Sequence, residues 1–164
     1  MNTSKIIILL VVISILLNAC QDDEKPKIDN EKPLIDLTIS DAFPTSCDTL
    51  YFDKPFIVKA LLTDNVELGA FNIDIHNNFD HHTHSTEIEQ CTLGAVKTAV
   101  NPYVYIQDYT LPVTNEFTTD VSITIPSSDG TDLYDEGDYH FQIRLTDKEG
   151  WSTMRGLNVK LLRK

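Results

Sequence analysis

Past residue 33, apolar and polar side chains alternate with a period of two. Ile35, Leu37 and Ile39 alternate with Asp36 and Thr38; Phe56, Val58, Ala60 and Leu62 share one parity; Phe71, Ile73 and Ile75 alternate with Asn72, Asp74 and His76. The same rhythm returns over residues 103–109, 121–125, 139–145 and 157–161. Successive side chains of an extended chain point to opposite faces, so this period predicts strands with one face in a core. Asp64-Asn65, Asn101-Pro102, Asp129-Gly130, Glu136-Gly137 and Glu149-Gly150 punctuate the runs as turns. No segment sustains a helical period. About seven short strands in some 130 residues predict an all-β fold, an immunoglobulin-like β-sandwich.

Asp135-Glu-Gly137-Asp-Tyr139 sharpens that expectation, because it has the form of a tyrosine corner, where a tyrosine opening strand F ties its hydroxyl back to the preceding backbone. Thr63-Asp64-Asn65-Val66 and Leu145-Thr146-Asp147-Lys-Glu-Gly150 look like the inter-strand turns of bacterial Ig-like and cadherin-like modules.

The amino terminus has a different pattern. Residues 6–17 are almost wholly apolar, follow Lys5, and lead into Leu17-Asn18-Ala19-Cys20. Twelve apolar residues are short for a bilayer span and suit a secretory signal. An apolar run that ends at Ala-Cys resembles a bacterial lipoprotein signal, which implies cleavage before Cys20 and lipidation of its sulfur. Several acyl chains on one residue hold a protein at a membrane stably. Residues 1–19 are thus expected to be the signal peptide. Residues 20–33, with Gln21-Asp22-Asp23-Glu24 and two prolines, are expected to form an acidic flexible tether, and residues 34–164 the sandwich domain. The acidic run behind Cys20 resembles the export tag of surface-displayed lipoproteins in Bacteroidetes-type bacteria. It implies a lipid anchor in the outer membrane, on the periplasmic or external face, with the external face favoured.

Charge narrows the partners. The chain has 13 basic and 25 acidic side chains, and loss of Lys5 with the signal takes the formal charge from −12 to −13. Such a surface repels phosphate backbones and attracts cations, which argues against nucleic acid.

The candidate chemistry is concentrated in histidine. Four of the five histidines fall in His76-Asn-Asn-Phe-Asp-His81-His82-Thr-His84. Imidazole is the commonest protein ligand for zinc and copper. Strand parity adds the fifth. In the Ig order, strand C ends near His76 and the antiparallel strand F starts near His140, and both residues point away from the core, on the solvated side. His76, His82, His84 and His140 are the expected ligands of one zinc or copper ion, with His81 or Asp80 as supporting or substitute ligands. The competing view is a polar His-rich loop without a metal.

Cys47 and Cys91 remain after export, in a compartment where thiols pair, and a disulfide between them is expected to brace the His loop. Sulfur ligation of the metal is the alternative. Asp64, Asn65, Glu67, Asp147 and Glu149 are expected together at the opposite end of the sandwich and offer the oxygen ligands calcium takes. They lack EF-hand spacing, so turn chemistry is preferred there. Trp151, Tyr103, Tyr105 and Tyr109 are read as packing residues rather than a glycan platform. No nucleophile–base arrangement is recognisable, so no enzymatic activity is expected.

The chain from the tether onwards also resembles a family of uncharacterised Bacteroidetes lipoproteins, a domain of unknown function with an Ig-like fold. The resemblance rests on Asp36-Leu-Thr, Asp74-Ile-His76-Asn-Asn-Phe-Asp-His81-His82-Thr-His84-Ser-Thr, Asp135-Glu-Gly-Asp-Tyr139-His140-Phe and Leu145-Thr-Asp-Lys-Glu-Gly-Trp151-Ser. It implies fold and location, and no reaction. Two functions from different classes follow: a metal-binding lipoprotein accessory to an outer-membrane uptake receptor, or a non-catalytic module that docks to an envelope protein or glycan.

Overall fold

A computed structural model describes residues 28–82 and 91–164. The expected signal peptide, Cys20 and His84 lie outside the described residues. Among those described, no helix is long and apolar enough to cross a membrane.

Among the described residues, ten strands form two layers. One layer is a five-stranded sheet in the order β2 (Thr49–Tyr51), β10 (Ser152–Leu162), β9 (Gly137–Asp147), β5 (Leu68–Asn77), β6 (Tyr105–Thr110). The other consists of β1 (Leu34–Asp36), β4 (Leu61–Thr63) and β7 (Glu116–Thr118), continued by the pair β3 (Pro55–Val58) and β8 (Val121–Thr124). The facing sides meet through the alternating residues: Ile35, Val58, Ala60, Leu62 and Ile123 from one layer, and Phe71, Ile73, Ile75, Phe141, Ile143 and Leu145 from the other, all buried. Phe56 and Phe141 make one contact across the gap, with ring centroids 6.4 Å apart. The fold is all-β and sandwich-like, as the alternation predicts.

The strand count exceeds the expected seven by three: β2 lies where the alternation marked no strand, and two longer strands are each broken once. Lys59-Ala60 separates β3 from β4, and Thr119-Asp120 separates β7 from β8. At the break, the buried Thr119 hydroxyl donates to the Val58 carbonyl at 2.9 Å and accepts from the Ala60 amide at 2.9 Å. A side chain thus replaces the ladder there and satisfies both of these backbone groups. On the other layer, a bulge shifts the β5–β9 register between Leu68 and Ala70. Gly69 fits there because a Cβ would stand 2.6 Å from the Asp147 carbonyl oxygen.

The expected tether is partly seated on the body. Pro33 and Asp29 are buried, Asp29 with 6 % of its surface exposed. Composition marks residues 20–33 as polar, yet their last few residues find hydrogen-bonding partners that composition does not reveal.

Tyr139 is fully buried at the start of β9; its hydroxyl donates to the Asp135 carbonyl at 2.7 Å and accepts from the Tyr103 amide at 3.1 Å. This is the hydrogen bond expected of a tyrosine corner. Burial, with the nearby Asp135 carboxylate adding to it, pushes the phenol up to about 12. Because the folded value lies above the unfolded one of about 10, the neutral phenol stabilises the fold fully below that pH, and the contribution fades as pH rises towards 12. Tyr139→Phe strands one carbonyl and one amide and is expected to cost about 2 kcal/mol. Denaturant titrations of the two proteins between neutral pH and pH 11 should converge, since only the wild type has this phenol to ionise.

Candidate metal centre

β5 and β9 run antiparallel in a register that sets His76 directly opposite His140, and β10 sets Asn158 on the other side of His140. Both histidines have the parity that faces away from the core. His140 is nevertheless fully buried, contrary to the solvated position expected of it. The segment after β5 folds back across the outer face of the sheet and covers it.

Three anchors fix that segment. The Asn78 amide donates to the Asp138 carbonyl at 2.8 Å, and its side-chain nitrogen donates to Asn158 Oδ1 at 3.2 Å. Phe79 plugs the end of the core, edge-on to Tyr139 at 5.3 Å, with the Lys97 ammonium 4.1 Å from its centroid. His81 then takes a left-handed backbone conformation, φ 58°, which reverses the chain. The reversal swings His82 over His140, so that the two ring centroids are 4.7 Å apart. It sends His81 the other way, where its Nε2 lies 4.0 Å from Asp138 Oδ2.

The result is a cluster of His76, His82 and His140 with one ligand nitrogen each, all within 4.8 Å of one another. Tetrahedral zinc with Zn–N bonds of about 2.0–2.1 Å needs nitrogens about 3.3 Å apart, so the rings would draw inward on binding. Hydrogen bonds select the nitrogens. His76 Nδ1 is 2.7 Å from Asp74 Oδ1, and His82 Nδ1 is 2.5 Å from Asp80 Oδ1. A carboxylate only accepts, so each Nδ1 carries a proton, and in the neutral ring Nε2 is then the atom with the lone pair. The bond from His82 holds the Asp80 carboxyl below the usual carboxylate range. His140 is reversed: its Nε2 is 3.0 Å from the His82 carbonyl and donates to it, which leaves Nδ1 as its ligand atom. The His76 and His82 side chains keep 24 % and 39 % of their surface exposed, so an ion has a route from solvent.

Of the residues singled out in the sequence, the structure unites His76, His82 and His140 and places Asp80 behind His82. It does not bring His81 into the cluster. Asp74 was missed, although the two-residue spacing of Asp74-Ile-His76 and Asp80-His-His82 would have indicated both carboxylate–imidazole pairs.

Cys47 and Cys91 form a disulfide beside this centre, and the Cys47 amide donates to the Asn158 carbonyl at 2.7 Å. The chain after Cys91 is laced to the start of β9 and the connection before it: Gly94 donates its amide to Asp138 Oδ2 at 2.6 Å, and the Val100 and Asn101 amides donate to Asp135 Oδ2. Lys160 Nζ, 2.8 Å from Asp138 Oδ1, completes the surroundings of that buried carboxylate.

The chain belongs to the family described as Domain of unknown function (DUF4625), whose sequence profile matches residues 18–162. A search of curated proteins finds no match.

Proposed function

We propose that this protein is a lipid-anchored envelope protein of the outer membrane that binds zinc or copper through His76, His82 and His140, as an accessory to metal uptake. The observation that supports it is the convergence of three imidazoles from three chain segments, two of them oriented by carboxylates. Such carboxylate–histidine pairs fix the tautomer and raise ligand basicity at metal sites. Three nitrogens leave a coordination position for a further ligand. His84, two residues beyond His82, is the candidate from the sequence, and an imidazole of an uptake receptor would be another. No general base stands out, so binding rather than catalysis is the reading. We also read the sandwich as immunoglobulin-like, from the order of its five-stranded sheet and the tyrosine corner.

Calorimetric titration with zinc and with copper(II) at neutral pH tests the proposal, and one ion per chain is expected. Affinity should fall as pH drops through about 6.5, where imidazole in general takes up a proton and loses its metal-binding lone pair. Absence of transition-metal binding at neutral pH would sink it. Asp74→Asn, which keeps the shape but removes the charge behind His76, should weaken binding about 10–100-fold by the same titration. The anchor is tested by Cys20→Ala, which should move the protein from the detergent phase to the aqueous phase.

A second reading has its own support. The outer edge strand β6 leaves Ile106 65 % exposed, and Val104 just before it is 55 % exposed. A sheet edge that pairs with no further strand among the described residues, with exposed apolar side chains on and beside it, suits docking of an envelope protein by strand addition.

A further inference from the structure

We propose a calcium site at the opposite end of the sandwich, formed by Asp29, Asp147 and Glu149, which ties the chain entering the domain to the β9–β10 turn. One carboxylate oxygen from each of the three lies within 4.8 Å of the others. Asp29 comes from the segment before β1, Asp147 ends β9 and Glu149 lies in the following turn. No turn motif requires these three to converge.

Asp147 is the decisive group. Only 3 % of it is exposed. Its Oδ1 accepts the Gly150 and Trp151 amides at 2.7 and 2.8 Å and accounts for the turn. Its Oδ2 is buried and accepts no hydrogen bond, and among the described residues Asp147 has no ion-pair partner. A buried carboxylate oxygen without a donor, next to two further carboxylates, is a costly arrangement that a bound cation would resolve.

The chemistry of the donors selects the ion. Three hard, anionic oxygens exclude a preference for soft metals. Calcium–oxygen bonds of about 2.4 Å allow ligands up to about 4.8 Å apart across the ion, whereas magnesium's bonds of about 2.05 Å require a tighter octahedral cage. Water would supply the remaining ligands. Of the other residues expected from sequence to share this site, Glu67 pairs with Lys148, and Asp64 lies outside the cluster, with its Oδ2 accepting the Val66 and Glu67 amides.

The position gives the ion a role. Asp29 Oδ1 accepts from Asn65 at 2.9 Å and from the Glu31 amide at 3.1 Å, and its carbonyl accepts from the Trp151 indole at 3.2 Å. An ion shared with Asp147 and Glu149 would lock this segment to the body. It would thereby fix the direction in which the preceding chain leaves the domain. Affinity in the range of extracellular calcium modules, about 0.1–1 mM, is expected.

Trp151 is the single tryptophan of the chain and sits on the site, so terbium luminescence excited through tryptophan tests the proposal with the full-length protein in detergent. Sensitised emission should saturate, and calcium should displace it at lower concentrations than magnesium. Asp147→Asn keeps an oxygen for the two turn amides and should weaken terbium binding roughly tenfold or more. Glu149→Gln, at an exposed position, should do likewise and serves if Asp147→Asn does not fold. Wild-type protein without sensitised emission at millimolar terbium, or identical titrations for wild type and Glu149→Gln, would overturn the proposal.

Discussion

Reduction of the Cys47–Cys91 disulfide, or the Cys47→Ser/Cys91→Ser double replacement, is expected to lower the melting temperature by on the order of 10–20 °C. The bond spans a sequence separation of 44 residues. Opening a loop of that size restores chain entropy to the unfolded state equivalent to about 4 kcal/mol. For a domain of this size each kcal/mol shifts the midpoint by about 3–5 °C. Calorimetry with and without reductant measures it, and an unchanged midpoint would mean the crosslink constrains little. A second effect should accompany the first. His82 lies in the chain between the Phe79 plug and Cys91, so the crosslink restrains the stretch that carries it. Loss of the crosslink should therefore weaken zinc binding in the reduced, still folded protein. If reduction instead tightened binding, the thiols would be ligands in their own right.

The sandwich was legible because its information is periodic. The parity of Ile73 and Ile75 against His76, and of Tyr139 and Phe141 against His140, placed both histidines on one face, and the tyrosine corner fixed where β9 begins. Those facts predict the pairing of His76 with His140, which the register shows. The burial of His140 was not legible. It depends on the reversal at His81 and on the seats of Asn78 and Phe79, which are single conformations and tertiary contacts that no repeat encodes. The same reversal explains why an extended reading could not tell that His81 turns to Asp138. Thr119 was hidden for a related reason: an ordinary strand threonine becomes the bridge at a break only when the opposite strand breaks beside it. Asp29 was obscured by its neighbourhood, since a polar, proline-bearing stretch reads as tether although one of its carboxylates is buried against the body.

Zinc affinity in His140→Gln is expected to fall by roughly 100-fold or more, beyond the 10–100-fold typical of losing an outer partner of a ligand. Glutamine has a similar reach and keeps an amide to donate to the His82 carbonyl, so the fold of the covering segment should survive. What it removes is the only lone pair that a buried third imidazole could offer. His76→Ala, at a half-exposed position, should cause a comparable loss without a buried cavity. His81→Ala, whose ring lies on the Asp138 side, should change affinity only a few-fold. Calorimetric titrations of the three variants at neutral pH, with circular dichroism to establish folding, separate the alternatives. Full affinity in folded His140→Gln would place the ion on the loop alone. A large loss in His81→Ala with none in His76→Ala would mean that the segment rearranges to bind metal through His81 and its neighbours instead of through the row that the sheet register creates.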